Sequence, residues 1–455
     1  MMKRPKVKLN IRITLAIFIV LFSILGIYTA YSVSVYGDAW FATPYNPRIN
    51  AAKDSIEAGT IYDRNGVVLA NSEGTDRHYS SDKTLRKAVS HVVGDESGIT
   101  LGAETVFSKY LYGFDEGVIN KMKNAVRDED KLRGNDITLT IDADLSRYIY
   151  ENMDYRGAAV IMNYKTGEVL ASVSSPAFDP ESIKDTSEGS EYVNRATMGR
   201  YAPGSTMKVL TAAAAIEKGI DFTYECKGVE YIDGKKITCV EDHGTQNLEE
   251  AFANSCNTYF AMLSQKLGHE DLERWADLGM YDHEFVFTDM TLYPGHYELS
   301  SYAPDTAWAA IGQYKDLVTP MQNCMIAAAI ANDGRMLEPK LLKSIDGTIY
   351  APSVNVISSM PSDITDRVRD FMRKTVEEGT ATNAQISGYD VCGKTGTAEY
   401  NDGGEKKNHS WFIGFIDDDQ HPLAVSIILE GAGYGSKYAT PLAKKALSYA
   451  LDKGY

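Results

Sequence analysis

The 25 residues from Ile13 to Gly37 contain no charged side chain. About 20 apolar residues suffice to cross the hydrocarbon core of a bilayer. Inside it every backbone N–H and C=O must be satisfied within the segment, so the run is predicted to be a membrane-spanning helix. Before it stand Lys3, Arg4, Lys6, Lys8 and Arg12, with no acid among residues 1–12. Basic flanks stay on the cytoplasmic side. Residues 1–12 are therefore expected as a cytoplasmic tail, 13–37 as the transmembrane helix, and everything after Asp38 outside the membrane. The run is long for a signal-peptide core and Thr29-Ala30-Tyr31 is no small-x-small cleavage site, which favours an uncleaved anchor.

Without those five basic residues the remainder holds 41 basic against 62 acidic side chains, near −21. Nucleic-acid binding needs Lys/Arg clusters, so that class of partner is excluded. No internal repeat is present, and neither Cys-x-x-Cys nor His-Glu-x-x-His spacing occurs, so no metal ligand and no cofactor are expected.

The segment Arg200 to Lys208 reads Arg-Tyr-Ala-Pro-Gly-Ser-Thr-Met-Lys. A Pro-Gly turn delivers Ser205 onto the first turn of a helix expected over 205–218. One turn separates Ser205 from Lys208, which puts hydroxyl and amine on one face. A Ser hydroxyl is a weak nucleophile near neutrality, and a Lys deprived of solvent can serve as its base. The pattern is weak alone, because Ser80 to Lys83 repeats it. Its company is what matters: Ser255-Cys256-Asn257 and then Lys394-Thr395-Gly396-Thr397 follow in order, the motif set of serine acyl-transfer enzymes that react with penicillin. The decoys Ser353-Val354-Asn355 and Lys165-Thr166-Gly167 fall in the wrong order, the latter at a hairpin turn.

Between Trp40 and Asp136 the chain is polar and loop-rich. A hairpin is predicted over Thr60 to Leu69, and a helix over 84–93 with Ser80 or Ser81 as cap. This reads as a small pedestal, residues 38–136. The large unit, 137–455, opens with the strand Ile137 to Ile141, a helix from Asp144 and a hairpin over 158–172. Helices are expected at 247–267, 319–334, 363–378 and 440–452. Strands are expected at 391–400, 410–416 and 423–429. The class is α+β: one antiparallel five-stranded sheet with helices on both faces plus an all-helical lobe.

With these pieces in place the chain resembles the class B penicillin-binding proteins, which are monofunctional peptidoglycan transpeptidases. The resemblance rests on Ala58-Gly59-Thr60-Ile61-Tyr62-Asp63-Arg64-Asn65-Gly66, Thr166-Gly167-Glu168-Val169-Leu170-Ala171, Asn194-Arg195-Ala196 and the Ser205 segment. Gly312-Gln313, Thr319-Pro320-Met321-Gln322, Gly379-Thr380-Ala381, Gly393 to Glu399 and Ser410-Trp411-Phe412 extend it. Ala58 stands where the family typically has Arg, and Gly102-Ala103-Glu104 where it has Gly-Leu-Glu.

The resemblance implies the fold of penicillin-binding proteins and serine β-lactamases, a stem peptide ending in D-Ala-D-Ala as substrate, and β-lactams as covalent inhibitors. Ser205 would attack and Lys208 take its proton. Ser255 would relay the proton, and Asn257 would orient Lys208 and the donor peptide. Backbone N–H groups of Ser205 and Thr397 would stabilise the oxyanion. Lys394 is expected to depress Lys208, and with Thr395 and Thr397 to attract the terminal carboxylate. Gly396 is expected to leave room for the donor strand. A SEDS-family membrane polymerase is the implied partner. Five Cys is an odd count, and Cys226 and Cys239 bracket a hairpin and could form a disulfide. The alternatives are a catalytically idle membrane-anchored scaffold or a β-lactam-hydrolysing or β-lactam-sensing relative. The class A water-binding Glu-x-x-Leu-Asn is absent, and a 12-residue tail holds no signalling domain.

Overall fold

The structure, a computed structural model, describes residues 5–41, 43, 45–115, 133–183, 189–350 and 354–455. Helix α1 (Pro5–Phe41) has 37 residues, about 55 Å at 1.5 Å per residue. Its Lys8–Ser34 stretch is long and apolar enough to cross a membrane, and its most apolar window is not buried in the rest of the protein. At its end the Phe41 ring meets Phe114 edge-on, 5.3 Å between centroids.

The pedestal hairpin forms as the turn residues predict, Ile61–Tyr62 pairing antiparallel with Val68–Glu73. The expected 84–93 helix is instead two short ones, Lys83–Ala88 and Ser90–Val93. Its cap is Asp82 rather than Ser80 or Ser81. The Asp82 carboxylate accepts from the Thr84 and Leu85 amides, a stronger interaction than a hydroxyl offers. The sheet also takes in distant chain. Ile137–Leu139 runs parallel to Ile61–Tyr62, and Leu342–Ile345 pairs on its other side and carries Thr348–Ile349. The strand expected to open the large unit thus lies in the pedestal sheet, since alternation alone cannot say which sheet a strand joins.

After α2 (Ala143–Glu151) comes the main sheet. Its strands are β1 (Gly157–Asn163), β2 (Val169–Ser175), β3 (Val391–Asp402), β4 (Glu405–Ile416) and β5 (Leu423–Leu429), in the order β3-β4-β5-β1-β2 and antiparallel throughout. The helices between include α3 (Lys208–Glu217), α4 (Asn257–Ser264), α5 (Pro320–Ala331) and α6 (Ser362–Glu377), and α7 (Ala439–Asp452) closes the chain.

The pleat divides the core. Ala158, Val160 and Met162 share a cluster with Met325 and Ile326 of α5, while Ala159 and Ile161 join Leu145 and Ile149 of α2 and Leu447 of α7. Helix α5 is buried all round, which its unbroken apolar run from Met325 to Ala331 requires. Thr319 caps it and Pro320 opens it, as the sequence signals indicate.

The expected 247–267 helix is broken. Leu248–Ala253 ends, Asn254-Ser255-Cys256 turns sharply with Ser255 at φ +56°, and α4 restarts at Asn257. The helical lobe also carries small ribbons: Tyr224–Cys226 with Gly244–Gln246, and Val229–Ile232 with Lys235–Thr238.

The pedestal is locked by a buried ion pair. Arg77 Nε lies 2.7 Å from Glu104 Oε1, the side chains 1% and 2% exposed, and Arg77 Nη1 donates to Gly59 O. Removing one partner strands a buried charge, so Glu104→Ala is expected to cost about 3–5 kcal/mol. A denaturant titration checks this, and a loss below about 1 kcal/mol would refute the role.

Candidate active site

The turn before Ser205 is pinned on several sides. The Tyr201 and Val318 backbones exchange two hydrogen bonds, and Trp411 Nε1 donates to Ala202 O at 3.0 Å. Tyr201 Oη and Arg195 Nε both donate to Glu430 Oε1 at 2.8 Å. Gly204 has φ +55°, and a Cβ there would lie 2.6 Å from Thr397 O. Only glycine lets this turn press against β3. Ser205 therefore sits in a single tight turn, Gly204–Thr206, half-buried, and α3 begins at the fully buried Lys208.

Lys208 Nζ donates to Ser255 O and to Asn257 Oδ1, each at 2.7 Å, and more weakly to Ser255 Oγ at 3.4 Å. Lys394 Nζ donates to the same Oγ at 2.9 Å and to Thr395 O. The Ser255 hydroxyl thus stands between two fully buried amines, and among the described residues neither amine pairs with a carboxylate. None of these bonds reaches Ser205 Oγ, so the reach expected between Ser205 and Lys208 is not a hydrogen bond here. Ser205 instead shares with Ser255, Asn257, Thr395 and Thr397 a cleft of about 450 Å³.

Burial pushes the Lys208 amine down to about 8. Burial and then the charge of Lys208 hold Lys394 well below the ordinary Lys range. The repulsion expected to depress Lys208 thus falls on Lys394, and desolvation is the main cause for both.

Strand β3 is an edge of the sheet, so its outer side is open to a further strand. Thr395 Oγ1 lies 2.7 Å from Thr380 Oγ1, and Thr397 Oγ1 accepts from Gly435 N at 3.3 Å. Gly396 also has a packing role. A Cβ there would lie 2.8 Å from Trp411 Cβ and 3.0 Å from Thr206 Cγ2, so its smallness serves the packing of the Ser205 turn. Asn257 Nδ2 donates to Thr238 O at 2.9 Å, which ties the side chain to the hairpin while it still lines the cleft with a second N–H.

Cys226 and Cys239 are free thiols, and the expected disulfide is not formed. Cys239 lies instead 3.6 Å from Cys256, and with Cys226 and His243 these make a compact set of metal-ligand types. Of the decoys, Lys165-Thr166-Gly167 occupies the β1–β2 turn and Ser80 to Lys83 the pedestal, while Ser353 lies outside the described residues. Motif reading missed Glu430, whose only signal is its place at the end of β5. Arg195, Gln313 and Thr380, quoted above only for resemblance, prove to touch Glu430, Thr397 and Thr395.

The chain is 28% identical to the peptidoglycan D,D-transpeptidase PbpA of Mycolicibacterium smegmatis, over 97% of this chain and 99% of that protein. It is also 28% identical to the peptidoglycan D,D-transpeptidase MrdA of Haemophilus influenzae, over 84% of this chain and 66% of that longer protein. The crystal structure of the D,D-transpeptidase domain of a peptidoglycan glycosyltransferase from Eggerthella lenta superposes with a TM-score of 0.74 at 28% identity, covering 88% of this chain and 99% of that one. Residues 157–448, more than half of the chain, match the family described as the penicillin binding protein transpeptidase domain, and to that family the chain belongs.

Proposed function

We propose that the protein is a serine D,D-transpeptidase that cross-links peptidoglycan stem peptides through an acyl-enzyme on Ser205, and that β-lactams acylate the same residue. The observation that carries this is the cleft in which Ser205 lies beside a hydroxyl held by two buried amines. In the first half-reaction Ser205 Oγ bonds to the penultimate D-Ala carbonyl carbon while neutral Lys208 takes its proton. Ser255 passes that proton to the departing D-Ala nitrogen as the peptide bond breaks. In the second, the amine of another stem peptide attacks the ester, loses its proton to the same relay, and releases Ser205. Backbone N–H groups of Ser205 and Thr397 are the oxyanion donors, each worth about 3 kcal/mol in such sites. Thr395 and Thr397 line the cleft and Lys394 does not, so contact with the terminal carboxylate falls to the two threonines. The donor peptide adds to the free edge of β3.

In the same reading residues 1–12 face the cytoplasm, 13–37 span the membrane, 38–136 with their borrowed strands form the pedestal, and 137–455 carry the chemistry. The basic flank supports that orientation. A SEDS-family polymerase supplies the glycan.

Fluorescent penicillin should label the wild-type protein covalently, with the adduct located on Ser205 by mass spectrometry and lost in Ser205→Ala. Labelling that survives this substitution would remove the mechanism, and a wild-type chain that never labels would leave the idle scaffold. The base must be uncharged, so the acylation rate should rise about tenfold per pH unit up to about 8, the value of Lys208, and level off above it. A stopped-flow pH profile that is flat from 6 to 9 would exclude Lys208 as the base.

A further inference from the structure

Cys226, Cys239, His243 and Cys256 converge beside the cleft with their four donor atoms within 4.8 Å of one another. The elements explain the convergence. Cys226 ends the strand Tyr224–Cys226, Cys239 follows the strand Lys235–Thr238, and His243 precedes the strand Gly244–Gln246. Cys256 is the N-cap of α4. Cys239 Sγ is 3.6 Å from Cys256 Sγ, and Cys226 Sγ is 3.5 Å from His243 Nδ1. A disulfide would bring two sulfurs to about 2.05 Å. Tetrahedral zinc, with bonds of about 2.3 Å to sulfur and about 2.0 Å to nitrogen, spaces sulfurs about 3.8 Å apart and sulfur from nitrogen about 3.5 Å.

A second observation points the same way. The first turn of α4 aims its donors at the sulfurs: Thr258 N at Cys239 Sγ (3.3 Å), Tyr259 N at Cys256 Sγ (3.4 Å) and Thr258 Oγ1 at Cys226 Sγ (3.2 Å). Such bonds stabilise thiolates and orient metal ligands. Cys226 and Cys256 are buried, whereas Cys239 and His243 are half-buried on the cleft side, which leaves a way in for an ion.

We propose that these four side chains bind one zinc ion, in a closed Cys3His site of structural type, and that the ion positions the Ser255–Asn257 segment. Three thiols and an imidazole suit zinc, which is bound tetrahedrally by such donors, over hard oxygen-seeking cations. The site straddles the catalytic segment. Cys256 lies between Ser255 and Asn257, and Thr238, which accepts from Asn257 Nδ2, is the neighbour of Cys239. The ion thus fastens both sides of Asn257 and supports Ser255 in its left-handed conformation. The metal site stands on its own geometry, and its positioning role rests on the transpeptidase reading.

The test uses the full chain purified in detergent. Elemental analysis should find about one zinc per chain, and cobalt replacing it should give a thiolate-to-cobalt charge-transfer band of tetrahedral intensity. Cys226→Ser and His243→Ala should each lower zinc affinity at least about tenfold. In the unmutated chain, which avoids any folding defect of the variants, titration with a mercurial should release zinc as the three thiols react. A preparation free of zinc and unable to take up zinc or cobalt overturns the site, as do variants that hold zinc like the parent. Stripping zinc from the unmutated chain should slow acylation by fluorescent penicillin about tenfold, restored by adding zinc. An unchanged rate overturns the positioning role, while adduct mapping to Ser205 tests the transpeptidase reading separately.

Discussion

The Ser255 hydroxyl, held between the amines of Lys208 and Lys394, is the contact on which the working structure depends. An ammonium group taken out of water without a counter-charge is expensive, and two facing each other more so. The fold answers by lowering the proton affinity of both amines rather than by supplying a carboxylate. A buried Asp or Glu would have kept Lys208 charged. Ser255 adopts φ +56°, a conformation that costs a non-glycine residue about 1–3 kcal/mol. That strain places its hydroxyl within reach of both amines.

Three segments distant in the chain meet at this contact, and each is held by a different part of the frame. The Ser205 turn is clamped by Trp411 of β4 and by the Glu430 carboxylate that receives Tyr201 and Arg195. Helix α5 supports it from below, with Asn323 donating to Thr206 Oγ1. Lys394 comes with β3, braced by Thr380 through Thr395. Asn257 is held by the hairpin carbonyl of Thr238. The floor is thus stiff while the edge of β3 stays open, the combination that strand addition by a peptide requires.

The pedestal is not a separate bead on the chain. Its sheet borrows Ile137–Leu139 and, from far downstream, Leu342–Ile345, so its core is continuous with that of the catalytic unit. The end of α1 meets this unit through the Phe41–Phe114 ring contact.

The amino-acid sequence by itself determined the elements and the residue types of the chemistry. The uncharged run dictates α1, the turn residues at Asp63 to Gly66 dictate the hairpin, and Thr319-Pro320 dictates where α5 starts. The ordered motifs at Ser205, Ser255 and Lys394 pick out the side chains that the fold brings to one cleft and its floor. These are local signals, written in period, cap and spacing. What sequence could not decide was every matter of direction and assignment. Alternation could not place Ile137–Leu139 in the pedestal sheet. Helical periodicity runs through the break at Ser255, because the residues on either side are apolar in either case. Spacing could not tell that Gly396 packs against the Ser205 turn, that the lysines turn to Ser255 instead of Ser205, or that Cys239 meets Cys256 and His243 rather than bonding Cys226. Each of these depends on which surfaces meet after the chain has closed on itself, and only the tertiary structure brings those surfaces together.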